Sequence, residues 1–311
     1  MNNQIKKINF NHSFIFFLIC NIFSLIIFKF YNSIISPLIC LFLILSIGIS
    51  HGSLDHIKGK KLVKIFKLHN ISFFYLIYTL IALIIIIFWI ILPTISLIIF
   101  LIVAAFHFGK EDTQFLVSEN SYFNQLLFFL KGSFIILTPL YFNFSETVSI
   151  FKLLLIENEF FYSSLSFIEK NNLLYFGIIL STLSSIYLFV KKFELKKFTI
   201  FLDYFSILIL NYYLSPLVAF TIYFCFLHSI RHGITLMFEL DKNDLNNGFK
   251  IFIKKAIPLT LITAVFGLIG LYLLNNTYEF NSSILKIIFI GLASLTFPHI
   301  LLEYFLEKNE K

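Results

Sequence analysis

The chain has 311 residues, of which 59% are hydrophobic and only 13% charged, against about 25% charged in an ordinary soluble domain. That balance excludes a water-soluble fold. The net charge of +7 does not indicate nucleic acid, because the lysines are scattered in short connections between apolar runs and form no basic face with interleaved aromatics.

Ten apolar segments follow one another, each read as a helix crossing a hydrocarbon core of ~30 Å. They run approximately from Ser13 to Phe30, Ile34 to Ser50, Ile71 to Leu92, Thr94 to Gly109, Tyr122 to Phe142, Leu173 to Val190, Phe198 to Tyr212, Pro216 to Leu236, Ala256 to Leu274 and Ile284 to Tyr304. The expected fold class is therefore all-α, a polytopic membrane bundle of about ten transmembrane helices forming one integral membrane domain over residues 1–311. Lys6 and Lys7 ahead of the first apolar run resemble a signal peptide, but no small-residue cleavage pattern follows, and a retained first helix is expected. The third and fourth segments are separated by Pro93 and form either a tight hairpin or one kinked helix. The seventh is short and carries Asp203. The connection from Asn143 to Asn172 is either an interfacial helix or a solvated loop.

Lysine placement tests the count, because one missed helix would exchange the sides of every later loop. With the N-terminus cytoplasmic, inner connections and tails collect Lys6, Lys7, Lys58, Lys60, Lys61, Lys64, Lys67, Lys110, Lys191, Lys192, Lys196, Lys197, Lys242, Lys250, Lys254, Lys255, Lys308 and Lys311. Outer connections collect only Lys29, Lys152 and Lys170. The expected location is the inner cell membrane, multi-pass, with both termini cytoplasmic.

Cys20, Cys40 and Cys225 all lie in apolar runs without C-x-x-C spacing, so no disulfide framework is expected. Of the eight histidines, His12 and His69 are assigned to loops at the membrane surface. The other six fall in four clusters: GISHGSLDH with His51, Asp55 and His56; AAFHFGKED with His107, Glu111 and Asp112; FLHSIRHG with His228, Arg231 and His232; and FPHILLE with His299 and Glu303. These lie in the later parts of the second, fourth, eighth and tenth segments, all toward the cytoplasmic half. The lysines fixed that topology without reference to histidine.

Ionisable groups inside a membrane are costly and mark functional sites by default. His228 and His232 are spaced i, i+4, which puts both rings on one helical face. A set of imidazoles suits Fe, Zn or Cu better than Mg or Ca. A ligating imidazole usually donates its second N–H to a carboxylate or carbonyl, a role open to Asp55 first, and to Glu111, Asp112 and Glu303. For the last three, interfacial water near lysines is the expected setting. Arg231 either orients a carboxylate or snorkels to the headgroups, and snorkelling is expected. Lys131 either pairs with an acid or marks a misplaced helix boundary.

At these clusters the chain resembles the Brp/Blh family of bacterial and archaeal β-carotene 15,15′-dioxygenases. The resemblance rests on H-G-x-L-D-H at His51 to His56, H-F-G at His107 to Gly109, H-S-x-R-H at His228 to His232, and the P-H pair Pro298 and His299. It implies Fe(II) held by His51, His107, His228 and His232 as metal ligands and catalytic residues, with Asp55, His56 and His299 behind the ligands or in the cavity wall. It also implies β-carotene and O2 as substrates, all-trans-retinal as product and a rhodopsin as recipient. Phe106, Phe108, Tyr223, Phe224 and Phe226 are candidates for lining a substrate tunnel, with packing the expected role of most. The alternatives are a di-iron desaturase or hydroxylase, which needs H-x-x-H-H blocks that are missing here, and a histidine-lined transporter, whose residues would form a path rather than crowd one side.

Overall fold

The computed structural model describes residues 3–29, 35–67, 70–116, 121–191 and 194–309, with the side chain of His51 outside that description. In chain order its helices are α1 (Asn3–Lys29), α2 (Pro37–Ser46), a 3-10 stretch (Gly48–Leu54), α3 (Asp55–Ile65), α4 (Ser72–Ile91), α5 (Pro93–Glu111), α6 (Tyr122–Phe142), α7 (Phe144–Leu153), α8 (Glu159–Lys170), α9 (Leu173–Val190), α10 (Thr199–Tyr213), α11 (Pro216–Ile222), a π-helical turn (Tyr223–Ser229), α12 (Ile230–Leu240), α13 (Leu245–Leu274) and α14 (Phe280–Asn309). Among the described residues there is no strand, and the bundle is all-α.

Among the described residues eight helices are long and apolar enough to cross a membrane, and a ninth crossing is formed if the pair Pro37–Ser50 and Gly52–Ile65, bent by 43° at the break, counts as one. The seventh predicted segment is helical but contains only the 15 residues of α10. At 1.5 Å per residue it is about 22 Å long, short of the ~30 Å core. Helix α1 begins ten residues ahead of the predicted start, so its basic N-terminal stretch is helical and His12 lies within a helix, not a loop. The connection from Asn143 to Asn172 holds two short helices, α7 and α8, in place of one helix or a bare loop.

Pro93 decides the relation of α4 to α5. Leu92 leaves the helix at φ −131° and ψ 61°, and Pro93 opens the next one, where its missing N–H costs nothing. The Trp89 and Phe100 rings meet across the turn at 6.1 Å. Tyr78 and His107, on either side of the proline, line one cavity. One continuous helix would hold those two residues about 43 Å apart, so the segments form a hairpin.

The span Pro216–Leu240 is the centre of the bundle, with 78% of its apolar window buried, against 6% for α4 and for α13. Helices α1, α2 and α10 and the 3-10 stretch pack around it. Helix α5 is fixed against α6 by a backbone approach. A Cβ on Gly109 would stand 1.8 Å from the Phe128 carbonyl oxygen, and one on Gly132 would stand 1.7 Å from that of Ala105. In lipid, apolar side chains gain little by hiding from their surroundings, so close backbone packing through small residues supplies the association.

Candidate metal centre

The central span changes pitch where the histidines begin. It is α-helical from Pro216 to Ile222, π-helical from Tyr223 to Ser229, and α-helical again from Ile230. A π turn carries one residue more than the α-helical register allows and frees carbonyls from their usual partners. One of these, Phe226 O, accepts a hydrogen bond from His12 Nε2 of α1 at 2.8 Å. His12 is therefore a buttress of the π turn and not the surface residue expected.

His228 closes the π turn and His232 lies one turn later on α12, while His107 comes from α5 and His299 from α14. All four are buried. Their rings form a chain of contacts: His228 to His107 with centroids 5.3 Å apart, His107 to His299 at 5.5 Å, and His299 to His232 at 5.9 Å. His107 late in α5, His228 and His232 in the second half of the span Pro216–Leu240, and His299 in the second half of α14 thus meet in space.

Three of the rings are tied from behind by carboxylates. His228 Nδ1 faces Asp112 Oδ1 at 3.3 Å, His232 Nδ1 faces Glu111 Oε2 at 2.9 Å, and His299 Nδ1 is 2.9 Å from both oxygens of Asp55. An ionised carboxylate only accepts, so each pairing places the proton on Nδ1 and makes Nε2 the lone-pair nitrogen. That is the tautomer a metal requires, fixed by the device that usually orients metal-bound histidine. Two of the carboxylates are themselves held: Tyr223 donates its hydroxyl to Asp112 Oδ2 at 2.7 Å and Tyr78 donates to Asp55 Oδ2 at 2.8 Å.

Glu111 and Asp112 are thus built into the site and not left in interfacial water. Glu303 does pair with a lysine, Lys58 of α3, although one of its oxygens comes within 4.8 Å of a ligand atom of His232 and of His299. Asp55, expected to serve its near neighbour His51, is bonded to His299 of α14. His51 falls in the 3-10 stretch, and its side chain, like all of His69, lies outside the described residues. His56 stays apart from the ring cluster, with Nδ1 donating to Ser53 O at 2.9 Å, and lines the adjoining cavity.

Arg231 does not snorkel. Its side chain is 2% exposed, forms a two-point pair with Asp203 at 2.8 and 2.9 Å, and also donates to Ser13 Oγ and to the Asp112 carbonyl. Lys131 sits inside α6, so no boundary was misplaced there, and shares a small cavity with Asp112 and Asp203. Sequence reasoning missed Ser13 and Tyr78, and it read Tyr223 as a candidate tunnel aromatic without its bond to Asp112. The solitary acid Asp203 in an apolar run and the solitary cation Arg231 in another were the available signal that the two belong together. The three cysteines are free and buried.

Two cavities flank the cluster. The wider one, about 430 Å³, lies between α4, α13, α14 and the 3-10 stretch, with His107, His299, Asp55 and Tyr78 in its wall. Its outer side is formed by Leu83, Ile262 and Phe266, which are exposed on the apolar surface of the bundle. The narrower one, about 90 Å³, lies between α5, α6, α7 and α10, and Phe108 lines both. Of the expected tunnel aromatics, Phe108 and Phe224 line the wider cavity and Tyr223 the narrower, while Phe106 and Phe226 line neither.

A sequence profile of the beta-carotene 15,15'-dioxygenase family matches residues 42–307. A protein of an uncultured marine bacterium, 66A03, named beta-carotene 15,15'-dioxygenase, is 29% identical over 275 residues, covering 84% of this chain and 90% of that protein. No solved structure matches.

Proposed function

Since the chain belongs to the beta-carotene 15,15'-dioxygenase family and is an oxygenase, we propose that it cleaves the central 15,15′ double bond of β-carotene, at Fe(II) held by His51, His107, His228 and His232. One O2 is consumed, the C=C bond breaks, and each of its carbons takes one oxygen atom, giving two all-trans-retinal molecules. The observation that carries this reading is the set of buried imidazoles held on Nδ1 by carboxylates, beside an apolar cavity with His107 and His299 in its wall.

Among the described residues, His232, His299 and Glu303 bring ligand atoms within 4.8 Å of one another, and the spacing of the other rings is compatible with a shared ion. With a metal–nitrogen distance of about 2.1 Å and a ring centre roughly 1.1 Å further on, two imidazoles on one ion have centres no more than about 6.4 Å apart. The observed neighbours, at 5.3 to 5.9 Å, fall inside that ceiling. Neutral imidazoles suit iron among other transition metals, and bound Fe(II) supplies the electrons that let O2 react with a closed-shell alkene.

The rest of the task falls to the protein. Asp112 and Glu111 hold the His228 and His232 rings in one orientation, so no rearrangement is needed when substrate arrives. The wider cavity receives a hydrocarbon from the bilayer through its lipid-facing side, and its length positions the central bond near His107. Phe108 and Phe224 exclude water around the His228 ring, which they contact at 4.8 and 5.8 Å. We place both termini on the cytoplasmic side. The recipient of retinal that the family resemblance implies is a rhodopsin in the same membrane.

The alternatives are less well supported. A membrane di-iron desaturase or hydroxylase needs H-x-x-H-H blocks, and the sequence contains none. A transport path needs histidines spread across the membrane, and here they converge. The test is expression in β-carotene-producing bacteria. Loss of the orange colour with accumulation of retinal is expected, and persistent colour with folded, iron-loaded protein in the membrane would refute the substrate.

A further inference from the structure

We propose that His299 is itself a ligand of the metal, held on the ion by Asp55 and Tyr78, and not a residue of the cavity wall. This rests on reading the site as a metal centre and adds a donor to it.

Among the described ring contacts, His299 and His107 each touch two others of the four. His299 touches His107 at 5.5 Å and His232 at 5.9 Å, both within the ceiling of about 6.4 Å for two imidazoles on one ion. Ligand atoms of His232 and His299 also come within 4.8 Å of each other. A donor set containing His107 and His232 therefore has His299 between its members.

The treatment of its second nitrogen matches that of the two family-assigned histidines on the central span. His228 has Asp112, His232 has Glu111, and His299 has Asp55, each carboxylate bonded to Nδ1. Asp112 and Asp55 each take a further hydrogen bond from a buried tyrosine, Tyr223 and Tyr78. The arrangement His299–Asp55–Tyr78 thus repeats the arrangement His228–Asp112–Tyr223 with residues from three other elements.

A wall residue facing hydrocarbon has no need of this. Burying a carboxylate is costly unless it is paired and hydrogen-bonded, and Asp55 is buried with His299 and Tyr78 as its partners. His56 provides the comparison within the molecule: it lines the same cavity, is half-buried, and uses a backbone carbonyl, Ser53 O, for its Nδ1. His299 is 4% exposed and takes both oxygens of a buried acid.

The test measures metal binding directly, on full-length protein in detergent, without relying on turnover. Iron per chain is determined for the wild type, H299A, H228A, H56A and D55N, and the metal-free proteins are titrated with Co(II) while its visible ligand-field bands are followed. His299→Ala is expected to weaken Co(II) binding and lower iron content as much as His228→Ala, and to change the band positions. Asp55→Asn is expected to weaken affinity by about 10- to 100-fold, while His56→Ala keeps its iron. His299→Gly with added imidazole is expected to regain both metal and bands, which separates loss of a ligand from loss of fold. Wild-type iron content and unchanged Co(II) bands in H299A would overturn the assignment, as would a folded H299G that imidazole does not restore. A wild type that binds neither metal would instead remove the metal centre itself, a distinguishable failure.

Discussion

His228 and Asp112 are 116 residues apart in the chain and face each other at 3.3 Å, on an oxygen of a carboxylate whose second oxygen is bonded by Tyr223. Two helices are thereby joined at the ring whose orientation matters most. Asp112→Asn keeps the shape but leaves an acceptor too weak to fix the ring, and is expected to lower metal affinity by about 10- to 100-fold. Tyr223→Phe leaves the carboxylate and its bond to His228, so a smaller loss is expected. Iron content and Co(II) titration check both.

The Arg231–Asp203 pair is buried on both sides. Arg231→Ala would deprive Asp203 of its two-point partner and leave only Lys131, across a small shared cavity, as a nearby cation, at an expected cost of about 3–5 kcal/mol. Removing both charges in R231M/D203L is expected to be milder, because neither member of the pair is left behind. Thermal unfolding in detergent would show the order, and a double variant worse than R231A would contradict it.

Gly132 has no room for a side chain, since its Cβ would meet the Ala105 carbonyl at 1.7 Å. Gly132→Val is expected to separate α5 from α6, with an overpacking cost of about 1–3 kcal/mol or more and a drop in iron content as His107 shifts. Gly291 on α14 has nothing within 4 Å of the same position. Gly291→Ala is expected to be neutral or stabilising by up to about 1 kcal/mol, since alanine favours helix.

Ala82 and Thr263 stand in the wall of the wider cavity, on α4 and α13. Tryptophan at either position is expected to obstruct the hydrocarbon and lower retinal formation by about tenfold or more, with iron content unchanged. Retinal yield and iron measured on one preparation separate obstruction from metal loss, and full activity in both variants would move the substrate elsewhere.

The all-α class and the position of most helices were legible because long apolar runs announce membrane-length helices, and the histidine clusters stood out because imidazoles are rare within them. Partnerships across the bundle were not. Arg231 was expected at the headgroups because nothing near it in sequence could neutralise it, yet Asp203 sits 28 residues upstream on another helix. Asp55 was read with His51, four residues away, but bonds His299, 244 residues away. His12 was taken for a surface residue because the apolar run begins after it, whereas α1 starts at Asn3 and carries it against Phe226. Local spacing reports which residues share a helix face, and it carries no information on which faces meet.

The stretch Tyr223–Ser229 would also form an ordinary helix, and no residue in it announces otherwise. If it did so with no residue removed, everything downstream would rotate by about 100° relative to Pro216–Ile222. His228 and His232 would remain neighbours yet aim elsewhere. Their distance from each other is written in a four-residue interval, and their bearing in one surplus amino acid upstream, so the two properties can be lost independently.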